Sequence, residues 1–270
     1  VLQQVSLYLY DENGNQTVFI DALGHGTTNV YDTLNRPVYG YFHDGTFTQT
    51  IYNQIGQKVW ERDQAGLWNG FGYDGSSHLV SVTNAWNTSK QMVTRYEYDE
   101  IGNQTKQIDA KDNTTSYEYN NLGQRTKRIL PGNQEETYAY NAGGILTNRV
   151  DFKGKATTFI YDQMNRLLEK RPDASLSEPS VYYSYNAAGM CTNMVDAGGI
   201  TSWTYDERQR VVSKTVQWSG QPAVTIYYNH DEQGMLTGME TSTANGVSTA
   251  YTYDTLNRLY TVNDAHAGET

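Results

Sequence analysis

The sequence predicts an all-β fold made of tandem β-hairpins, each about 21 residues long. Three observations predict it. A tyrosine (His in one copy) followed by Asp or Asn recurs every 20 to 25 residues, a second aromatic residue precedes it by two positions in ten of twelve copies, and Gly or Asn follows it by four positions in ten of twelve. Residues two apart on a strand share a face, and Gly and Asn tolerate the positive φ of tight turns.

Twelve such anchor positions align twelve copies of the repeat along the whole chain. Seven copies carry Thr four residues before the anchor, a β-branched residue suited to a pleated sheet, and six carry Gly seven residues before it, which predicts a second turn. Each copy therefore predicts strand, turn, strand, turn. The structural anchors are Tyr10, Tyr31, Tyr52, Tyr73, Tyr98, Tyr119, Tyr140, Tyr161, Tyr185, Tyr205, His230 and Tyr253.

The repeat resembles a known family. Its most complete copies are residues 246–258 (GVSTAYTYDTLNR) and 154–166 (GKATTFIYDQMNR), and they resemble the RHS or YD repeat; Asn29 and Thr50 depart from its first aromatic position. The resemblance implies a long β-sheet that spirals into a hollow shell, as in bacterial polymorphic toxins, insecticidal toxin complexes and teneurins. In the toxin members it implies a shell around a C-terminal effector.

Elementary geometry agrees with a curled sheet. Twelve hairpins give about 24 strands, and a spacing of roughly 4.8 Å makes a sheet about 115 Å wide, far beyond the width at which open sheets curl. The alternative is a β-propeller, because two copies span about 42 residues, close to the period of a four-stranded blade. A propeller predicts that odd and even copies differ, and they do not.

Residues 1–270 are expected to form one continuous array that is truncated at both ends. Residues 264–270 resemble the entrance to a thirteenth copy, and Ser6 to Tyr10 already form the entrance to the first. We therefore expect exposed edge strands at both ends, and a chain that is a fragment of a larger protein.

Composition excludes several functions. A net charge of −10 argues against nucleic-acid and anionic-membrane partners, no apolar run approaches the roughly 18 residues of a membrane span, and a single cysteine, Cys191, excludes a disulfide framework and a zinc site of paired cysteines. No metal or other cofactor is predicted, because the histidines lack ligand spacing; they are His25, His43, His78, His230 and His266.

No catalytic residues are predicted. Glu135 and Glu136 are neighbours on one strand and point to opposite faces, and Cys191 has no histidine placed nearby. The Asp or Asn after each anchor is expected to accept hydrogen bonds from turn amides two or three residues on. A recurring arginine five residues after the anchor is expected to pack over a tyrosine or to pair with a turn Asp of an adjacent copy, at Arg36, Arg166, Arg210 and Arg258.

These observations predict a non-enzymatic structural segment of a shell that encloses or presents a passenger domain of a large secreted or surface protein from a bacterium. Its partner would be the rest of its own polypeptide. The alternative is a carbohydrate-binding or adhesive array that works through exposed aromatic rings. Strand alternation gives two faces and does not say which one lines a lumen.

Overall fold

A computed structural model describes residues 3–243 and 246–266, and within that part the protein is all-β, with 24 strands and one short 3₁₀ helix at Ala174–Leu176. The first twelve strands are β1 Gln3–Tyr10, β2 Gln16–Ile20, β3 Gly26–Tyr31, β4 Pro37–Phe42, β5 Phe47–Tyr52, β6 Lys58–Arg62, β7 Trp68–Tyr73, β8 Leu79–Asn84, β9 Met92–Tyr98, β10 Gln104–Ile108, β11 Thr114–Tyr119 and β12 Arg125–Ile129. The others are β13 Glu135–Tyr140, β14 Leu146–Val150, β15 Ala156–Tyr161, β16 Leu167–Arg171, β17 Val181–Tyr185, β18 Cys191–Asp196, β19 Gly199–Tyr205, β20 Val211–Trp218, β21 Val224–His230, β22 Leu236–Thr241, β23 Val247–Tyr253 and β24 Leu259–His266.

The chain divides into two compact units. The central unit comprises Asp11–Thr17 and Gly26–Ala156, and the terminal unit comprises Val1–Tyr10, Val18–His25 and Thr157–Thr270. In the central unit each strand from β3 to β14 pairs antiparallel with the next. This uninterrupted run is much longer than a four-stranded propeller blade. The all-β hairpin array is confirmed, and the propeller alternative is not needed.

The terminal unit joins the two ends of the chain. Strands β15 to β24 pair antiparallel in order, and β24 then pairs antiparallel with β1, with Ser6 opposite Val262. The expectation that these two strands are exposed edges is therefore wrong. The unpaired N–H and C=O groups of an edge strand can form hydrogen bonds with another strand, and here β1 and β24 form them with each other.

One turn geometry recurs at the tip of each hairpin. At Tyr31, the Asn35 N–H donates to the Asp32 carbonyl at 3.0 Å and the Asp32 N–H to the Arg36 carbonyl at 2.9 Å, and the strand register shifts between Val30 and Tyr31. This is a type I turn followed by a left-handed residue and a β-bulge. Ser77 and Gln209, which lack the Gly or Asn of the pattern, adopt the same left-handed backbone with φ of 70° and 64°.

In six copies the second turn repeats the first. Gly24 has φ of 84°, and its N–H donates to the Asp21 carbonyl at 3.0 Å; Asp112 and Asn133 take the same conformation without glycine. The part of the chain that the structure describes has no thick apolar core. Within the described residues, Ala85 is the single buried apolar side chain, beside buried Glu136, Thr201 and Thr249. The low aliphatic content of the sequence fits this wall-like packing.

Candidate functional site

All twelve anchors occupy one structural position, the last residue of an odd-numbered strand from β1 to β23. Successive hairpins pair only over the half of each strand that lies near the second turn. Between β4 and β5 the ladder runs from Tyr39 opposite Gln49 to Tyr41 opposite Phe47, which leaves the start of β4 and the end of β5 unpaired. We call this gap between neighbouring hairpins the wedge.

The anchor tyrosine bridges the wedge. The Tyr52 hydroxyl donates to the carbonyl of Pro37, the first residue of β4, at 3.1 Å. Eight further hydroxyls do the same between 2.6 and 3.0 Å: Tyr31 to Gln16, Tyr73 to Lys58, Tyr98 to Leu79, Tyr119 to Gln104, Tyr140 to Arg125, Tyr185 to Leu167, Tyr205 to Cys191 and Tyr253 to Leu236. Each bond replaces missing ladder bonds and ties one hairpin to the previous one.

Burial keeps these phenols neutral. Loss of water around the ring raises the pKa of the hydroxyl above its ordinary value of 10.0 at Tyr31, Tyr98, Tyr119, Tyr185, Tyr205 and Tyr253. A neutral phenol donates a hydrogen bond and a phenolate does not. The bridging bonds of these six tyrosines are therefore kept across the ordinary pH range.

The Asp or Asn after each anchor organises the turn. Asp32 Oδ1 accepts from the N–H groups of Leu34 at 2.9 Å and Arg36 at 3.0 Å, so the amides lie two and four residues on, and not two or three. Arg36 Nε donates to Asp32 Oδ2 at 2.7 Å, and the hydrogen bonds from Arg36 lower the pKa of Asp32. The arginine thus pairs with the Asp of its own turn, and the expected pairing with an adjacent copy is wrong.

The residue four positions after this Asp or Asn follows a pairing rule. An Asp is matched by a donor, such as Arg36, His78 or Asn103, whereas Asn53 donates from Nδ2 to the acceptor Gln57 Oε1 at 2.7 Å. The sequence carries this signal, and reading the Asp or Asn position together with its partner would have revealed it. Three turns depart from the rule because the residue four positions on has no polar side chain: Asp231 with Met235, Asn141 with Ile145 and Asn186 with Met190.

The expected arginine–tyrosine packing is present. The Arg36 guanidinium lies over the Tyr52 ring of the next hairpin, with 4.4 Å from Cζ to the ring centroid, and Arg166 lies over Tyr185 at 4.9 Å. Arg258 lies over Tyr10 at 4.7 Å, across the pairing of β24 with β1. Each such arginine links its own turn to the neighbouring anchor, by an ion pair on one side and a cation–π contact on the other.

Three wedges lack one of their two rings, at Asn29, Thr50 and His230, and the last two of these contain a cavity. In the wedge between β4 and β5, Thr50 replaces the first aromatic, and a cavity of about 320 Å³ lies beside Arg36 and Tyr52. In the wedge between β20 and β21, His230 replaces the anchor, and a cavity of about 480 Å³ lies beside Arg210, Tyr228 and His230. In the wedge at Asn29, the side-chain Nδ2 donates to the Gln16 carbonyl at 3.0 Å, the same acceptor that the Tyr31 hydroxyl uses.

The two neighbouring glutamates have different environments. Glu135 is exposed and its carboxylate lies 3.2 Å from Lys127 Nζ, whereas Glu136 is 2% exposed and stands where most copies have Thr. Glu136 accepts from the Tyr138 hydroxyl and from Arg149 Nε, each at 2.5 Å. Burial alone would raise the pKa of Glu136, but these hydrogen bonds and the Arg149 charge outweigh it and lower the pKa.

Other candidate groups form no reactive cluster in the described residues. Cys191 is half-buried, burial raises the pKa of its thiol, and Sγ lies 3.5 Å from the Asn193 carbonyl. His25 and His78 contact the turn residues Asp21 and Asp74 at 3.0 Å. No group of three metal-ligating side chains occurs within the described parts of the chain. The His266 side chain and the expected thirteenth entrance at Gly268 lie outside the described residues.

An aromatic cluster projects from β5 to β8. Trp60 and Trp86 meet edge to face with ring centroids 5.2 Å apart, and Ile51 and Trp68 complete a cavity of about 270 Å³. Trp86 lies in the extra residues between two copies and is 48% exposed. Sequence reasoning treated the aromatic positions as equivalent and did not predict this cluster, because Trp60 and Trp86 lie outside the two aromatic positions of the repeat.

Tyrosine-anchored antiparallel hairpins repeated in tandem define the class of YD-repeat proteins. The chain belongs to the teneurin YD-shell family, whose model matches residues 100–267. The RHS repeat matches residues 73–114. The predicted family is therefore confirmed. A comparison with curated protein sequences finds no match.

Solved structures share the fold. A TcdB2-TccC3-TEV crystal structure is 18% identical with a TM-score of 0.56, and the similarity covers 94% of this chain and 16% of that one. TcdB2-TccC3 is 19% identical with a TM-score of 0.56, over 95% of this chain and 16% of the other. The chain thus spans 16% of the length of these solved chains. Identity at this level establishes the fold alone.

Among the described residues, no helix has the length and apolar character needed to cross a bilayer.

Proposed function

We propose that this chain is a non-enzymatic wall segment of a YD-repeat shell, and that the shell encloses or presents a passenger domain of the same polypeptide. The observation that carries the proposal is the row of bridging tyrosines. Nine hydroxyl-to-carbonyl bonds recur at equivalent positions between successive hairpins. This arrangement stabilises a thin wall without a thick apolar core, which is what a barrier needs.

The mechanism would be steric. A wall one sheet thick separates a passenger from proteases and solvent while the wedges stay bridged, and opening of the wedges would admit them. The anchors would act as structural residues in this scheme. We also propose that the protein is secreted or surface-exposed and bacterial, as the resemblance to toxin shells implies.

Limited proteolysis of the full-length natural polypeptide that contains this chain tests the proposal. We expect a non-repeat segment that resists cleavage in the folded protein and is cut quickly when isolated. The double variant Tyr185→Phe with Tyr253→Phe should speed its cleavage, because two bridging bonds are lost. Tyr183→Phe with Tyr251→Phe changes neighbouring rings without removing a bridging bond and is the matched control. A passenger cut equally fast inside and outside the shell would contradict enclosure.

The Trp60–Trp86 cluster supports a second candidate function, carbohydrate binding. The exposed Trp86 indole and the half-buried Trp60 indole present apolar faces on which sugar rings can stack, and a cavity lies beside them. A glycan array followed by titration of any hit tests this. Trp60→Ala and Trp86→Ala should abolish binding, whereas Trp218→Ala, at a tryptophan that is also 48% exposed, should not. Equal binding by all variants would exclude this site.

A further inference from the structure

The wedge between β20 and β21 differs from the others because it has no anchor tyrosine, and a cavity lies where the tyrosine ring would be. His230 stands at the anchor position, and an imidazole is shorter than a phenol and has no hydroxyl. The ladder between these strands begins at Ser213 opposite Tyr227, so Val211 lies in the open part of the wedge. Val211 is the first residue of β20, the position that receives the tyrosine hydroxyl elsewhere. In the described part of the chain no side chain donates to its carbonyl.

The cavity in this wedge is large enough for an aromatic ligand. Its volume is about 480 Å³, against about 320 Å³ for the wedge that retains Tyr52. Cavities of about 150 Å³ in other proteins accept benzene. The Tyr228 ring and the Val212 side chain supply apolar surface, and the Arg210 guanidinium borders the same space.

Arg210 occupies the same position in its turn as Arg36, the arginine that covers the ring of Tyr52. Its Nε donates to Asp206 Oδ2 at 2.6 Å and its Nη1 to the Asp231 carbonyl at 3.1 Å, which fixes the plane of the guanidinium. At the equivalent place Arg36 covers the Tyr52 ring at 4.4 Å. Because Asp206 already balances the charge of Arg210, the site favours a neutral ring over an anion.

From this geometry we propose that the wedge at His230 is a binding site for a phenol group, the group that a tyrosine side chain carries. The ring lies against the Arg210 guanidinium and Tyr228, and the hydroxyl donates to the Val211 carbonyl. The incoming phenol thereby reproduces the contacts that bridging tyrosines make in the other wedges. The proposal does not depend on enclosure of a passenger.

Titration of the protein with p-cresol, followed by NMR of the His230 ring signals, tests the site. We expect one saturable site and a shift of the imidazole signals. Toluene, which has the same ring and methyl group but no hydroxyl, should bind about tenfold more weakly because it leaves the carbonyl without a donor. Equal affinity for p-cresol and toluene would overturn the hydroxyl contact.

His230→Tyr is the decisive variant, because it restores the repeat and fills the wedge from within. We expect saturable p-cresol binding to be lost. Tyr185→His is the matched gain of function, since it keeps the second ring at Tyr183, frees the Leu167 carbonyl beside Arg166 and should raise the stoichiometry from one to two. Saturable binding that survives His230→Tyr unchanged, or the absence of saturable binding to the original protein, overturns the proposal. Either result leaves the protease test of the shell unaffected.

Discussion

At the scale of single residues, the anchor tyrosine has two separate roles. Its ring fills the wedge beside a second ring, and its hydroxyl replaces backbone bonds that the diverging strands cannot make. The sequence predicted the shared face of the two rings, because alternation along a strand determines it. It did not predict the hydroxyl bond of Tyr185 to Leu167, because that acceptor is set by where the ladder between β16 and β17 stops.

Two of the three tyrosines of β17, Tyr183 and Tyr185, separate these roles. Tyr185→Phe removes one bridging hydroxyl and leaves a part-buried carbonyl without that donor, so we expect it to lower the free energy of unfolding by about 1 kcal/mol. Tyr183→Phe deletes a hydroxyl two residues away on the same face and should change it by less than about 0.5 kcal/mol. Urea denaturation measures both. Equal effects of the two variants would mean that the bridging bond contributes nothing.

Glu136 gives a pH dependence of known sign. Its pKa in the folded protein is lowered, so its contribution to stability is present above the unfolded pKa of about 4.3 and is lost as pH falls through the folded pKa. Glu136→Gln should lower stability by about 1–3 kcal/mol at pH 7, and the difference from the original protein should shrink below about pH 4. Glu135→Gln, at the exposed neighbour, is the control and should have a small effect. Thermal unfolding across pH 3–7 measures this, and a difference that grows in acid contradicts it.

At the scale of the element, nine of the twelve anchor turns are specified by a pair of residues in addition to their left-handed residue. The sequence predicted the turns from Gly and Asn, and Ser77 and Gln209 adopt the same backbone because the Asp at the start of each turn holds it by accepting backbone amides. The partner of the Asp was predicted in the wrong copy. Sequence spacing alone does not distinguish a contact within a tight turn from one across the sheet.

The pairing rule predicts compensation between the two turn positions. Asp162→Asn places an amide against Arg166, whose Nε now donates to Asp162 Oδ2 at 2.6 Å, so we expect a loss of stability. Adding Arg166→Gln restores the Asn–Gln pair seen at Asn53 and Gln57 and should recover part of the loss. Recovery stays incomplete because the stack of Arg166 on Tyr185 is also removed.

Denaturation of the two single variants and the double variant gives the coupling energy. We expect a favourable coupling between Asp162 and Arg166, so the double variant should lose less stability than the sum of the two single variants. The reverse exchange, Asn53→Asp with Gln57→Arg, is the control and should couple with the same sign. Strictly additive losses at both turns would show that the two positions are independent.

At the scale of the whole molecule, the all-β hairpin array was predictable because twelve copies of the repeat each predict the same local structure. Exceptions in single copies therefore do not change the prediction. The pairing of β1 with β24 was not predictable. Each strand has the pattern of any strand in the array, and the pattern does not say whether the chain's own other end or a further copy lies beside it. Edge complementarity, which is a property of the folded backbone, decides this.

A proline in β1 tests the pairing of the two ends. Val5 lies opposite Asn263 of β24, and its side chain is 44% exposed. Val5→Pro removes a backbone N–H and fits poorly in a strand that is paired along its edge, so it should destabilise the terminal unit by about 3 kcal/mol. Val5→Ala is the matched control and should cost less than about 1 kcal/mol, because little buried surface is lost. Amide hydrogen exchange should show faster exchange in β24 for the proline variant alone. If β24 exchanges at the same rate in both variants, β1 does not protect it, and the joining of the two ends in the terminal unit is contradicted.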